Sequence, residues 1–481
     1  MPFDIHGSLL TTEIGLIALS LVCLVADILI APGEKKGKTI NSIGMSGVAL
    51  LFLNQCFSWG RFGPVLHGSL SMDGVSFFFK IIFLLAGFFV LFMAREYQGH
   101  LKRGHSEFTL LILFSLIGMT FLASASDFLL FFISLEIITV SLYIMTAYLR
   151  DENLSIEAGV KYLILGTLST AVFLYGLSFI YGPAGSTSYA EIQKKLLLLG
   201  HLPISFRFGL VLVVSALGFK IAAVPFHLWV PDIYEGAPTP VTAYLAIGAK
   251  AAGFAALMRL MLTVFSPARE ELTALFSVLS ALTIIYGNLG AIPQTNLKRL
   301  LGYSSIGHAG YLLIGLAAFS HSGNEALLYY LLSYLFSTGG AFLVVIAVTK
   351  YSKTEEISEL AGLSKKSPLL AAGMLLSLLS LAGIPPLAGF FAKFYLLWAG
   401  VKAGLLWLVL IGLLNVITSL YYYLKVVKWM YVDKPLSESL LPVGLGQKAM
   451  QYLSIFGILA LGIYQKPFVK LAEMALSGFP K

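Results

Sequence analysis

Charge is scarce in this sequence. Only 12% of its 481 residues are Asp, Glu, Lys or Arg, while 58% are hydrophobic. No soluble domain has that balance, so the chain is expected to cross a membrane many times. Cysteine is scarcer still. Cys23 and Cys56 lie in separate apolar runs and form no C-x-x-C pair, which leaves no ligand set for an iron–sulfur cluster or a zinc ion. There is no G-x-x-x-x-G-K-[ST] and no G-x-G-x-x-G after a strand, so neither ATP nor a dinucleotide has a place. The opening MPFDIHGSLL lacks a basic stretch and a cleavage site; it reads as a lead-in to the first span, not a signal peptide. The formal net charge of +8 is not read as nucleic-acid binding, because in a many-span protein such an excess mostly reports topology.

What the sequence has in plenty is apolar length. A membrane helix needs about 20 apolar residues. About fourteen such spans lie near 9–31, 39–57, 73–94, 107–124, 127–149, 157–181, 206–230, 240–264, 271–291, 298–319, 324–350, 368–399, 403–431 and 449–465. The expected fold is therefore an all-α membrane protein. Lys and Arg in the loops set its orientation. Seventeen fall on one side, among them Lys35, Lys36, Lys102, Arg103, Arg150, Lys298, Arg299, Lys353 and Lys366. Nine fall on the other, among them Arg61, Lys194, Arg207, Arg269 and Lys481. The richer side is expected to be cytoplasmic, with both termini outside; the 194–207 loop runs against the trend.

The stretch from Ser215 to Lys250 organises the rest. An apolar helix carries Lys220, and Pro225, His227, Trp229, Pro231, Asp232 and Glu235 follow. Then the APTP turn opens a second apolar helix with Lys250. Proline removes a backbone hydrogen bond and clashes with the preceding turn. In lipid such a break is tolerated only where protein or water satisfies the freed groups. A second break is expected at GIPPLAGFFAKFYLL, with Pro385, Pro386 and Lys393. Each break falls in the fourth helix of a five-helix set. The chain thus divides into a three-helix cap (1–106), one set (107–264, broken within 206–230), a second (271–431, broken within 368–399) and a last helix (449–465). Five is odd, so the second set must enter the membrane upside down. Inverted repeats with broken helices are a transporter design.

Each polar residue in a span has a plain and a functional reading. Glu136, in FFISLEIITVSLYIM, is either a packing acid paired with a lysine or a proton site coupled to one; a central carboxylate is costly without a use. Lys220 lies too far from a span end to snorkel easily. Lys250 and Lys393 are also central, whereas Lys161 is about one turn inside and either snorkels or functions. Burial disfavours a charged lysine and a nearby carboxylate restores it, so moving the partner switches the site. Lys80 and Arg259, nearer span ends, read as snorkelling or packing residues. His308, in YSSIGHAGYLL, is central and can pass protons, or is a hydrogen-bonded core histidine. His227 is nearer an end, and Tyr303 and Ser304–Ser305 hold water or pack.

ISLEIITVSLYIM, GFKIAAVPFHLWVPDIYEGAPTPVTAYLAIGAK, NLKRLLGYSSIGHAGYLL and SLAGIPPLAGFFAKFYLL together resemble the antiporter-like membrane subunits of respiratory complex I, a bacterial NADH:quinone oxidoreductase, from about residue 70 to 430. The GAPTPVTAYL turn and a lysine at 393 point to one branch of that family. The resemblance implies a proton-translocating subunit of an NADH-oxidising, quinone-reducing translocase. Glu136 would be the paired carboxylate and Lys220 its partner lysine. Lys250 would be the central relay, His308 a group near the water path, Lys393 the terminal lysine and Lys161 a further lysine on the sixth span. The resemblance places no cofactor in this chain; NADH, FMN, iron–sulfur clusters and quinone belong to partner subunits. Its expected partners are the lipid membrane and other membrane subunits of the complex, homologous antiporter-like ones included. It implies the cell inner (plasma) membrane. The rival reading is a subunit of a Mrp-type sodium/proton antiporter. A third is a scaffold whose buried lysines only lock helices together.

Overall fold

The computed structural model describes residues 9–101, 104–352, 354–435 and 440–479; Lys102, Arg103, Lys353 and Lys481 of the charge count lie outside them. The described chain is almost wholly helical. The first helices are α1 (Thr11–Leu29), α2 (Glu34–Phe57), α3 (Gly74–Tyr97), α4 (His105–Ser124), α5 (Phe128–Thr146) and α6 (Asn153–Ala184). A short α7 (Tyr189–Leu199), not anticipated from hydropathy, precedes α8 (Ile204–Ile221). Then come α9 (Trp229–Gly236), α10 (Thr239–Tyr244) and α11 (Lys250–Leu262). They are followed by α12 (Arg269–Ala291), α13 (Leu297–Ala317) and α14 (His321–Ser352). The last are α15 (Leu363–Lys366), α16 (Pro368–Ala382), α17 (Ala388–Lys402), α18 (Leu406–Tyr431), α19 (Leu445–Ile463) and α20 (Lys466–Ala475). A small antiparallel hairpin, β1 (Gly63–Val65) and β2 (Leu70–Met72), precedes α3.

Twelve helices among the described residues are long and apolar enough to cross a membrane, α10 and α11 counting together. Two of the fourteen expected spans fall on interrupted helices. Span 368–399 is α16 and α17 with a turn between them. Span 449–465 is α19, which bends by 85° into α20. The expected broken span 206–230 ends earlier, at Ile221, and α9 follows as a separate eight-residue helix.

The described residues form two compact units. One holds the chain up to Ile221, Gly248–Glu271 and the residues from Met474 on; the other holds Ala222–Ile247 and Leu272–Glu473. In the first, α3 and α4 are enclosed, while α1, α2 and α6 leave long apolar faces exposed. In the second, α13 and α14 are enclosed and α18 is the exposed helix. Without a hydrophobic drive between helices in lipid, close backbone approach at small residues holds such bundles. α6 and α8 meet in this way: a Cβ on Gly209 would stand 2.6 Å from the Gly176 carbonyl oxygen.

The first unit is also tied by buried charge. Arg259, on α11, donates from Nη2 to Asp73 Oδ1 at 3.0 Å and from Nε to the Ala123 carbonyl at 3.1 Å. Asp73 caps α3, where Ser76 N donates to it at 2.9 Å, and Ala123 lies in the last turn of α4, whose final carbonyls lack helical partners. One guanidinium therefore fixes the ends of two helices to a third. Lys80 Nζ lies 2.7 Å from Glu13 Oε1, both side chains about 1% exposed. Lys80 and Arg259 are thus paired and buried, not snorkelling: their acids come from distant parts of the chain.

Replacing Arg259 by leucine leaves Asp73 without its cation, which is expected to cost about 3–5 kcal/mol. Replacing Arg207 by glutamine breaks an exposed pair with Glu271 at 3.4 Å and is expected to cost about 1 kcal/mol or less. Unfolding midpoints of the two variants in detergent should rank in that order. Equal midpoints would show that the Arg259 pair does not anchor these helices.

Candidate functional site

Two interruptions of the backbone share a local design. After α8, Ala222 is left-handed, with φ of 64°, and the Val224–Pro225 bond is cis. After α16, Gly383 is left-handed, with φ of 90°, and the Pro385–Pro386 bond is cis. In both, the left-handed residue stands three positions before the cis proline. Only glycine visits that conformation without cost, and alanine there costs roughly 1–2 kcal/mol. The freed groups find partners: Val224 N donates to Thr283 Oγ1 at 2.9 Å and Gly389 N to Ser380 Oγ at 3.0 Å. A third irregularity, a π turn at Leu245–Ala249, directly precedes Lys250. Such turns gather at functional positions, and the hydropathy pattern gives no sign of it.

In the first unit, Lys220 occupies the last turn of α8. Its Nζ is buried without a hydrogen-bond partner among the described residues and lies 6.0 Å from the Tyr143 ring and 5.6 Å from the Phe219 ring. Glu136 acts on Lys220 electrostatically, but the two form no direct ion pair among the described residues. Instead Glu136 Oε1 accepts from Thr170 Oγ1 at 2.9 Å. Tyr143, two turns beyond Glu136 on α5, is the neighbour the sequence did not single out. Lys250 is 2% exposed. Its helix runs against the end of α8, for a Cβ on Gly253 would stand 2.7 Å from Ile221 Cγ2. The structure therefore gathers Glu136, Lys220 and the Lys250 helix. Lys161 lies on the exposed side of α6, 42% exposed and 2.7 Å from Glu157 one turn before it.

In the second unit, His308 is 4% exposed and held through both ring nitrogens. Nδ1 is 2.5 Å from the Tyr330 hydroxyl and Nε2 is 3.1 Å from the Tyr423 hydroxyl. Ser304 Oγ lies 2.5 Å from that second hydroxyl, and the Tyr334 ring centroid is 5.1 Å from the imidazole. Lys393, also 4% exposed, donates from Nζ to the Ala382 carbonyl at 3.0 Å. That carbonyl ends α16, where the helix dipole favours a cation. The Tyr311 ring lies 4.9 Å from the ammonium. A small cavity lined by His308, Ser333, Ser337, Ser380 and Lys393 connects the two, with a water-accessible volume of about 10 Å³. That is room for roughly one water. Ser337 Oγ donates to Ser380 Oγ at 2.8 Å across it.

The remaining sequence candidates serve the edges. His227 is 4% exposed and packs on Tyr286, ring centroids 4.2 Å apart. Asp232 and Glu235 hold Arg299 at 3.0 and 2.8 Å. The tyrosines around His308 do not stand out in the sequence, because the chain has 23 of them. Among the described residues no three His, Cys, Asp or Glu side chains gather as a metal site. Cys23 and Cys56 are separate thiols, so the residues present do not fit a cluster. The arrangement can hold, release and pass protons.

Residues 125–418 match the family described as NADH:quinone oxidoreductase/Mrp antiporter, TM. The chain is similar to NADH-quinone oxidoreductase subunit N of Desulforamulus reducens, at 40% identity over 99% of each protein. It is also similar to a chain of respiratory complex I from Thermus thermophilus, at 32% identity and a TM-score of 0.82, covering 96% of this chain and 99% of that one. A chain of the Mrp complex from a Dietzia species shares the fold, with a TM-score of 0.86 over 98% of each chain, but only 20% of its residues. With more than half of its length in the family match and a full-length relative at 40% identity, the chain belongs to the NADH:quinone oxidoreductase/Mrp antiporter transmembrane family, in the branch of NADH-quinone oxidoreductase subunit N.

Proposed function

We propose that this chain is a membrane subunit of an NADH-quinone oxidoreductase and that it moves protons while quinone is reduced in other subunits. The observation that carries the reading is the serine-lined cavity between His308 and Lys393 in the second unit. Buried ionisable groups joined by a water-sized space are costly unless protons use them. Glu136 sets the field at Lys220: a charged carboxylate favours the ammonium, and its neutralisation favours proton release. Lys250 is the next lysine along the path. His308 exchanges a proton with the cavity water and Lys393 is the terminal acceptor. Lys161, paired with Glu157, exchanges at the rim.

NADH, flavin, iron–sulfur clusters and quinone belong in this reading to partner subunits, among them homologous antiporter-like ones, and no step here runs through them. The chain sits in the inner membrane, with both termini outside and the Lys- and Arg-rich loops in the cytoplasm. The full-length 40% identity to subunit N, against 20% to the Mrp chain, favours the oxidoreductase over the antiporter.

Lys220→Ala in the assembled complex is expected to lower proton pumping and NADH:quinone turnover by at least about tenfold. Lys220→Arg should not restore them, because arginine stays protonated. Normal pumping by the alanine variant, with assembly verified on a native gel, rules the proposal out. Lys393→Met is expected to match Lys220→Ala. Ser337→Ala removes one cavity hydroxyl and should slow turnover only about two- to tenfold. A Lys393→Met complex that pumps normally would remove that residue from the path. Sodium-dependent proton exchange in vesicles without redox partners would move the assignment to the antiporter.

A further inference from the structure

The cavity between His308 and Lys393 does not stop at its serines. Ser337 on α14 and Ser380 on α16 meet at 2.8 Å, and from there small and polar residues continue toward the end of the second unit where α16 and α19 begin. One turn on, a Cβ on Gly340 of α14 would overlap Ser454 Oγ of α19 and stand 2.6 Å from Ser377 Oγ of α16. The two hydroxyls thus face each other across the space that a side chain there would fill. One turn further, a Cβ on Gly373 of α16 would overlap Gln451 Nε2 of α19. The last step is Gln447, whose Nε2 donates to the Leu343 carbonyl of α14 at 2.7 Å. Gln447 lies in the first turn of α19, and Gly446 beside it is exposed. From Ser454 to Gln447 the seam covers about 10 Å.

A polar seam between helices in lipid ordinarily serves as glue, and glue makes its hydrogen bonds across the interface. Here they are not made. Gln451 Nε2, Gln451 Oε1 and Ser377 Oγ are buried without a partner among the described residues, and both residues are 0% exposed. Each such group left unsatisfied costs about 1–3 kcal/mol. Water held in the seam supplies the partners, as it does for buried polar groups in general. Ser454 Oγ donates to the Phe336 carbonyl at 2.9 Å and keeps its lone pairs for the same water. We propose that this seam holds a file of water that carries protons between the Lys393 cavity and the end of the bundle where α16 and α19 begin, and that Gln451 positions the file. The proposal rests on the reading of Lys393 as a proton carrier. Each transfer forms one O–H bond and breaks another, and the last places the proton on Nζ of a neutral Lys393. Gln451 itself gains and loses no proton; its amide donates to one water and accepts from the next.

Gln451→Met keeps the length of the side chain and removes both hydrogen-bonding atoms. In the assembled complex it is expected to lower NADH:quinone turnover and proton pumping at least about fivefold. Deuterium oxide should then slow turnover by a larger factor than in the native complex, because proton delivery has become limiting. Native rates overturn the proposal, since methionine replaces unpaired glue without loss. A slower complex with the native deuterium ratio overturns it too, because loosened packing acts in that way. Lys393→Met is measured alongside. If it also pumps normally, the proton-carrier reading falls together with the seam; if it stops pumping while Gln451→Met does not, the seam alone falls. Should Gln451→Met fail to assemble, Ser377→Ala decides. It removes one unpartnered hydroxyl and should slow turnover about two- to tenfold with a raised deuterium ratio, and any other result overturns the proposal.

Discussion

An ammonium inside an apolar helix bundle has to be compensated where it stands, and the architecture around Lys220 and Lys393 is a set of answers to that demand. Lys393 is compensated by backbone: the carbonyl freed at the end of α16 accepts from it, and the Tyr311 ring flanks it. Breaking a helix in lipid exposes a carbonyl that needs a donor, and burying a lysine creates a donor that needs a carbonyl, so each cost offsets part of the other. Lys220 is compensated by rings and by the more distant field of Glu136. Such a site is easier to perturb, since moving or neutralising one carboxylate changes what the lysine experiences.

The fully paired charges behave differently. Arg259 with Asp73, and Lys80 with Glu13, meet their partners at hydrogen-bond or ion-pair distance. They hold helix ends in register. Paired cations fasten the first unit, and the loosely compensated lysine is the one to which the proposed function gives its chemistry.

The legible part of this molecule was the part written in short range. Long apolar runs gave the helices, Pro225 and the Pro385–Pro386 pair gave the two breaks, and a carboxylate within FFISLEIITV stood out by its cost. The helix end at Ile221 was not legible, since Ala222 adopts a left-handed conformation for which its side chain gives no signal. Nor was the pairing of Arg259 with Asp73, residues 186 positions apart, which only the fold brings together. The tyrosines on His308 were hidden by abundance: with 23 tyrosines in the chain, nothing marks Tyr330 and Tyr423 before the helices are packed. The inverted relation of the two five-helix sets rests on break placement, to which the matched backbone of the two breaks adds a local likeness.

The two hydroxyls on His308 have a consequence for timing. A neutral imidazole carries its hydrogen on one nitrogen only, so one tyrosine oxygen receives a hydrogen from the ring and the other gives one to it. A proton that enters at one nitrogen and leaves from the other exchanges the ring's tautomer and reverses both hydroxyl orientations. The wire then points the wrong way for a second proton from the same side until the hydroxyls rotate back or the ring turns. With both phenols buried and held at 2.5 and 3.1 Å, that reset would be a step of its own in the proposed proton path, and the histidine would act there as a turnstile that admits one proton per rotation.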